Sequence, residues 1–343
     1  MAYPSKITYV VAIVVLLLLV VASLLVGTIS VPMGPAFESL LQVLGISTAV
    51  TNPLTPEQTA ALWYVRMPRV FVAVLVGGAL ALAGTVMQGL FRNPLADPGI
   101  MGVSAGAGLG AVLAIGLGFT AVSLWAMPVM AFLGALLTVL VTVGLTMKGG
   151  RVEPTILLLA GVAMSLLCGA LTSGALTLMN EYQIKEFLFW MIGGLDGRRW
   201  DHLVMGLGPI LLGGLGIVSL GRQLNVLSLG DIEAQSLGLA VTRFRLILLA
   251  LASAITAVAV CMSGAIGFVG LIVPHIMRRL VGPDHRFLLP ASALAGAAFL
   301  LACDTLGRML PGTGEIRVGV VTAVIGAPYF LYLLHRMRQG GGL

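Results

Sequence analysis

Charge is scarce in this chain: 9% of its 343 residues are Asp, Glu, Lys or Arg. A soluble globular chain carries about a quarter, so this one lacks the polar residues that a water-facing surface needs. Cysteine is nearly absent. Cys168, Cys261 and Cys303 stand singly in apolar segments, with neither metal-ligand spacing nor a disulfide framework, and they read as small buried hydrophobes. The four histidines, His202, His275, His285 and His335, form no HExxH or other metal pair. There is no GxSxG, no P-loop and no pair of aspartates within an apolar run. The expectation is a chain with no catalytic residues, no metal and no cofactor, which does not bind ATP itself. An integral-membrane enzyme stays as a remote alternative.

Acidic groups are missing from the middle of the apolar runs as well. Asp97, Asp231, Asp284 and Asp304 fall at run ends, and Asp304 is read as the salt-bridge partner of Arg308, four residues on. Ion-coupled carriers keep ionisable residues near the membrane midplane. Apart from His275, the middle of the runs offers only Thr, Ser, Gln and Met, so an energy source outside the chain is expected, with a secondary carrier as the lesser alternative.

What is present is apolar: 59% of the residues are hydrophobic. A membrane-spanning helix needs roughly 20 apolar residues. Ten such runs can be marked, near 8–28, 63–91, 100–119, 123–147, 155–178, 203–221, 244–263, 264–281, 287–306 and 317–335. They are too long and too unalternating for barrel strands. The fold expected is therefore all-α, a polytopic integral membrane protein of about ten transmembrane helices, with residues 1–343 forming one transmembrane domain. The first run is too long for a signal peptide and lacks a clear cleavage site, so it reads as a retained helix.

The net charge of +6 does not point to nucleic acid; its placement is what informs. With both termini cytoplasmic, 12 of the 19 Lys and Arg fall inside, from Lys6 and Arg92 to Arg336 and Arg338, as the positive-inside rule requires. Arg66, Arg69, Lys185, Arg198, Arg199, Arg308 and Arg317 are left outside. Three polar stretches interrupt the runs. Residues 29–62 hold a short amphipathic piece and a turn-rich part, and 180–202 should lie along an interface. Residues 222–245 read as two short cytoplasmic surface helices, with Asp231 as N-cap and Gly238 as C-cap of the second. Glycine, 45 residues in all, recurs at helical spacing and predicts closely packed helices. The segment 263–286 echoes 77–99; five runs lie between them, and we read the two as copies inverted in the membrane.

Seven segments carry a resemblance: 66–110, with RMPR and NPLADPG; ILLLAGVAMS (156–165); FWMIGGLDGRRW (189–200); LGDIEAQSLGL (229–239); SGAIGFVGLIVPHIMRRLVGPDHR (263–286); 288–308, with DTLGR; and 316–334. In this order they resemble the permease subunits of bacterial ATP-binding-cassette importers for iron-siderophores, haem and cobalamin, the FecCD or cobalamin-importer family. They cover most of the chain from residue 62; the first 60 residues match only in general character.

The resemblance implies a homodimer in the bacterial inner membrane, in contact with membrane lipids. It implies two ATPase subunits docked from the cytoplasm and a periplasmic or lipid-anchored substrate-binding protein docked from outside. Arg66, Arg69 and Arg308 would engage carboxylates of that binding protein. Gly230, Asp231, Ile232, Glu233, Ala234, Gln235, Leu237, Gly238 and Leu239 would form the helix that couples to the ATPase, with Ile232, Leu237 and Leu239 as apolar contacts. Asn93 and Leu95, with Thr172 and Ser173, would form the translocation gate. A ferric siderophore is the cargo expected from the family's commonest substrate class, with haem and cobalamin as alternatives.

Overall fold

The computed structural model describes residues 6–27, 29–43, 45, 53–148, 151–309 and 315–338. All ten apolar runs contain a helix: Lys6–Leu25, Met67–Phe91, Val103–Gly116, Ala126–Thr146, Pro154–Leu176, Trp200–Ser219, Val241–Ser263, Val269–Val281, His285–Met309 and Val318–Arg338. Among the described residues, eight helices are long and apolar enough to cross a membrane. The other two, Val103–Gly116 and Val269–Val281, have 14 and 13 residues. At ~1.5 Å per residue they span about 20 Å, short of the ~30 Å hydrocarbon core.

The two short helices have a common cause. Each follows a stretch of irregular backbone, 93–102 before the first and 264–268 before the second. In 264–268 apolar residues run on through the irregular backbone, so composition draws it as helix; in the first case the apolar run 100–119 overshoots the helix by three residues at each end. The backbone of 264–268 is anchored by protein: Gly194 N–H donates to Ser263 O at 2.8 Å, and a Cβ on Gly264 would lie 2.2 Å from Trp190 O. Irregular backbone at membrane depth is tolerated when protein buries it in this way.

The Met67–Phe91 helix is the buried axis of the molecule, with Val241–Ser263 and His285–Met309 against it. Glycine makes those approaches possible. A Cβ on Gly84 would lie 2.0 Å from Gly270 O, and one on Gly110 would lie 2.0 Å from Met130 O. Hydroxyls inside the spans turn back on their own helices, as Thr85 does to Ala81 O (2.9 Å), Thr142 to Thr138 O (2.8 Å) and Thr256 to Ala252 O (2.7 Å). The Lys6–Leu25, Pro154–Leu176 and Val318–Arg338 helices sit at the periphery with broad exposed apolar faces.

The polar stretches also take shape. Met33–Val43 is a surface helix, and Thr55 with Gln58 forms a capping box at the start of the long helix that runs to Phe91. Glu181–Met191 is a second surface helix, capped by Asn180 and Gln183. The one strand pairing among the described residues is a two-residue ladder, Met147–Lys148 with Arg151–Val152.

The two similar segments are not inverted. Gln88 and Gly89, at the end of one helix, and His275, Arg278 and Arg279, at the end of the other, line one cavity. Both helices therefore run the same way. An odd number of intervening spans returns the chain to its starting direction, so the expectation of inversion was wrong by its own count.

Candidate functional site

The functional residues expected from the sequence fall into three places. The first is 222–245. Gly221–Leu229 and Asp231–Ser236 are helices, and the break between them is Gly230, at φ 132°. Gly230 rather than Asp231 is the N-cap. The Asp231 carboxylate is taken up by Arg245, with Nη1 at 3.0 Å and Nη2 at 2.6 Å, while Nη1 also donates to Val152 O at 2.8 Å. Those hydrogen bonds hold the Asp231 carboxyl below its usual range, and the Arg92 charge adds to the effect. At the other end Gly238 N–H donates to Gln235 O and Leu239 N–H to Ala234 O. With Gly238 at φ 80°, this is a Schellman motif.

The motif sorts the apolar residues of the segment. Ala234 is buried and Leu239 packs against the core, whereas Ile232 is 80% and Leu237 65% exposed. Leu229, just before the break, is exposed too; sequence reasoning left it out of the contact set. Glu233 and Gln235 face outward. The segment thus presents three uncovered apolar side chains around a short helix pinned by one ion pair: Ile232 on it, Leu237 at its end and Leu229 on the helix before it.

The second place is 92–101. Arg92 ends the Met67–Phe91 helix in a left-handed conformation, φ 50°, which costs a non-glycine residue about 1–2 kcal/mol. Asn93 Oδ1 accepts from Leu95 N–H at 2.9 Å, and Asp97 caps the one-turn helix Pro98–Met101 by accepting from Gly99 N–H at 2.8 Å. Asn93 and Leu95 are half-buried. The Arg92 guanidinium reaches the 222–245 segment, lying beside Gly230. Sequence reasoning used Arg92 only to set topology. Its contact with residue 230 could not be read from spacing.

Thr172 and Ser173 lie elsewhere. The Pro154–Leu176 helix meets the 92–101 region at Gly161, where a Cβ would lie 2.2 Å from Ile100 O. Eleven residues of helix, about 16 Å, separate Gly161 from Thr172. Within one chain the two halves of the expected gate are therefore not brought to one level. Thr172 is buried and Ser173 is exposed on the outer face of its helix.

The third place gathers Arg66, Arg69 and Arg308 around a cavity of about 430 Å³, with Glu57 and Glu315 on its wall. Arg66 is at the end of a π-helical turn, Ala61–Arg66, a local widening common at functional sites. It is 5% exposed and donates to Leu24 O (2.8 Å), Leu25 O (2.9 Å) and Ile29 O. Arg308 donates to Ser23 O (3.2 Å) and Val26 O (3.1 Å) and to the Ser23 hydroxyl. Together the two guanidiniums satisfy the orphan carbonyls at the end of the first helix.

Arg69, 7% exposed, binds both oxygens of Asp304 through Nε and Nη2 and reaches Glu315 at 2.6 Å. The expected Arg308–Asp304 contact is present, Nε to Oδ2 at 3.3 Å, but Arg69 holds the carboxylate bidentately. Asp304 and Glu315 lie 235 and 246 residues from Arg69, a pairing no local pattern signals.

Comparison with known proteins follows from this geometry. A family profile described as the FecCD transport family matches residues 15–336. The chain is 47% identical over 270 residues to the "Cobalamin import system permease protein BtuC" of Halobacterium salinarum, covering 79% of this chain and 72% of that one. It is 41% identical to the "Vitamin B12 import system permease protein BtuC" of Escherichia coli, over 83% of this chain and 86% of the relative. It is 43% identical to the "Hemin transport system permease protein HmuU" of Yersinia pestis, over 81% and 85%. Among solved structures, a metal-chelate type ABC transporter in an inward-facing conformation superposes with a TM-score of 0.84 at 34% identity, covering 96% of this chain and 99% of that one.

Proposed function

Because the chain belongs to the FecCD transport family, we propose a specific reading of its cargo, its partners and the roles of its three sites. At the coarser level it is the permease subunit of an ABC importer, a multi-pass membrane protein, and not an enzyme. It works with an ATPase and a substrate-binding protein. We place it in the cytoplasmic membrane, with both termini in the cytoplasm. Residues 1–343 would act as one transmembrane domain.

Two copies would pair through their exposed apolar faces, and two ATPase subunits would dock on the coupling segment. The observation that carries this is the Asp231–Ser236 helix with its C-terminal turn. Ile232 and Leu237, with Leu229 beside them, are uncovered on a helix clamped by Asp231–Arg245. A surface helix set into a groove of a motor transmits its push. Arg92 then links that helix to Asn93 and Leu95, so movement of the motor would reach the loop directly. The binding protein would dock on the face bearing Arg66, Arg69 and Arg308, where Glu57 and Glu315 moderate the positive charge.

The cargo is a bulky metal chelate. A ferric siderophore rests on the family's substrate class alone. The names of the relatives favour cobalamin first and haem second, and we propose cobalamin. ATPase activity of the reconstituted complex, with its binding protein and a panel of cobalamin, haem and ferric siderophores, tests this. Stimulation by cobalamin is expected. Stimulation by a siderophore only would overturn the cargo, and ATP-independent uptake by this chain alone would overturn the mechanism.

A further inference from the structure

At the end of the molecule that carries the coupling segment, a cavity of about 470 Å³ opens where four elements meet. These are the ends of the Met67–Phe91 and Val269–Val281 helices, the start of His285–Met309, and the 221–229 helix. Arg92, Arg278 and Arg279 line it, and no carboxylate does. Among the described residues none of these arginines makes a salt bridge or a side-chain hydrogen bond. Of the nearby carboxylates, Asp231 is engaged by Arg245 and Asp284 by Arg286 and Asn225, while Glu233 lies with Arg92 beside Gly230, outside the cavity lining. Arg92 and Arg279 are exposed and Arg278 is half-buried, and their charges converge on a concave site that no carboxylate lines, a surface that favours an anion.

The same wall supplies two acceptors. Gln88, 2% exposed, spends its NH₂ on Gly270 O and Leu271 O, and its Oε1 has no partner. His285, 4% exposed, turns Nδ1 to Asn225 Oδ1 at 2.7 Å; that oxygen also accepts from His285 N–H at 2.8 Å. An oxygen that accepts the backbone N–H puts the ring proton on Nδ1, which leaves Nε2 as an unpartnered lone pair. Buried acceptors left open are destabilising, and a hydroxyl satisfies them.

We infer that this cavity binds a phosphoglycerol group, its phosphate on Arg92, Arg278 and Arg279 and its hydroxyls on Gln88 Oε1 and His285 Nε2. The cavity is several times the size of a lone phosphate, and it sits at helix ends, the level of lipid headgroups. Basic pockets between transmembrane helices take anionic headgroups there. Phosphatidylglycerol supplies the group from the membrane, and free glycerol phosphate supplies the same chemistry from solution. The inference is independent of the cargo.

Native mass spectrometry of the delipidated full chain, titrated with phosphatidylglycerol, phosphatidic acid or phosphatidylcholine, tests it, alongside thermal shifts with sodium glycerol phosphate. Retention in the order phosphatidylglycerol, then phosphatidic acid, with no uptake of phosphatidylcholine, is expected. The Arg278→Gln/Arg279→Gln variant should weaken phosphatidylglycerol binding about tenfold or more, the worth of one charge-assisted hydrogen bond. Arg92→Gln, on a separate element, should weaken it in the same direction should the double variant not fold. A shift with glycerol phosphate but not the lipid supports the site with a soluble source. Equal retention of phosphatidylcholine, or unchanged binding in both variants, overturns it. So does a variant whose single defect is loss of ATPase assembly, which would make the cavity a protein interface.

Discussion

Arg69 and Asp304 set the terms for the face that bears the arginine cluster. Breaking a buried pair by removing one partner costs about 3–5 kcal/mol, because a buried charge is left behind. Arg69→Gln should therefore lower the stability of the purified permease by that order, read from thermal unfolding in detergent. Glu315 is the informative neighbour, since its side chain is 42% exposed and its removal leaves Asp304 paired. Glu315→Gln should leave the unfolding temperature close to wild type while raising affinity for the binding protein, as a competing carboxylate is gone from Arg69. Unchanged affinity would argue against Arg69 as a docking group.

Asp231 offers a pH test. Its folded-state carboxyl is held below the usual value by Arg245, so the pair contributes fully above the unfolded value of about 3.9 and is lost as pH falls through the lowered folded value. Wild type should be more stable than Asp231→Asn at pH 7, and the gap should close as pH falls below 4. A constant gap would mean that the pair contributes little.

Glycines determine how the helices meet. A methyl at Gly84 would lie 2.0 Å from the Gly270 carbonyl, so Gly84→Ala must push the Val269–Val281 helix away at a cost of about 1–3 kcal/mol. Loss of a monodisperse particle on size exclusion is the expected sign. Gly238 acts differently: nothing lies near its missing side chain, and its need is purely for the left-handed φ. Gly238→Ala should cost about 1 kcal/mol, leave the particle intact, and reduce cargo-stimulated ATP hydrolysis by detaching the helix end that bears Leu237.

For the molecule as a whole, the exposed apolar faces of Pro154–Leu176 and Val318–Arg338 are too broad to be settled by one chain. Ser173 lies on the first of these faces and Thr172 points inward, so adjacent positions report on pairing. With the three native cysteines buried, Ser173→Cys should form an oxidised dimer across the proposed interface, and Thr172→Cys should not. Equal cross-linking of both, or of neither, would place the interface elsewhere.

The eight long spans, the surface helices and the two short helices of 222–245 were legible in the amino-acid sequence because hydropathy and capping are local properties: a run of twenty apolar residues, or a glycine after an amphipathic turn, carries its signal within a few residues. The shortness of Val103–Gly116 and Val269–Val281 was not: the apolar run outlasts the first helix at both ends, and before the second, apolar residues continue through irregular backbone whose surroundings are supplied by distant elements. Nor were the partners of Arg69, the reach of Arg92 to Gly230, or the depth of Thr172 against Asn93. Those rest on contacts between residues far apart in the chain, decided when helices rich in glycine pack backbone against backbone, and the energies of buried charges then depend on which side chains that packing brings together.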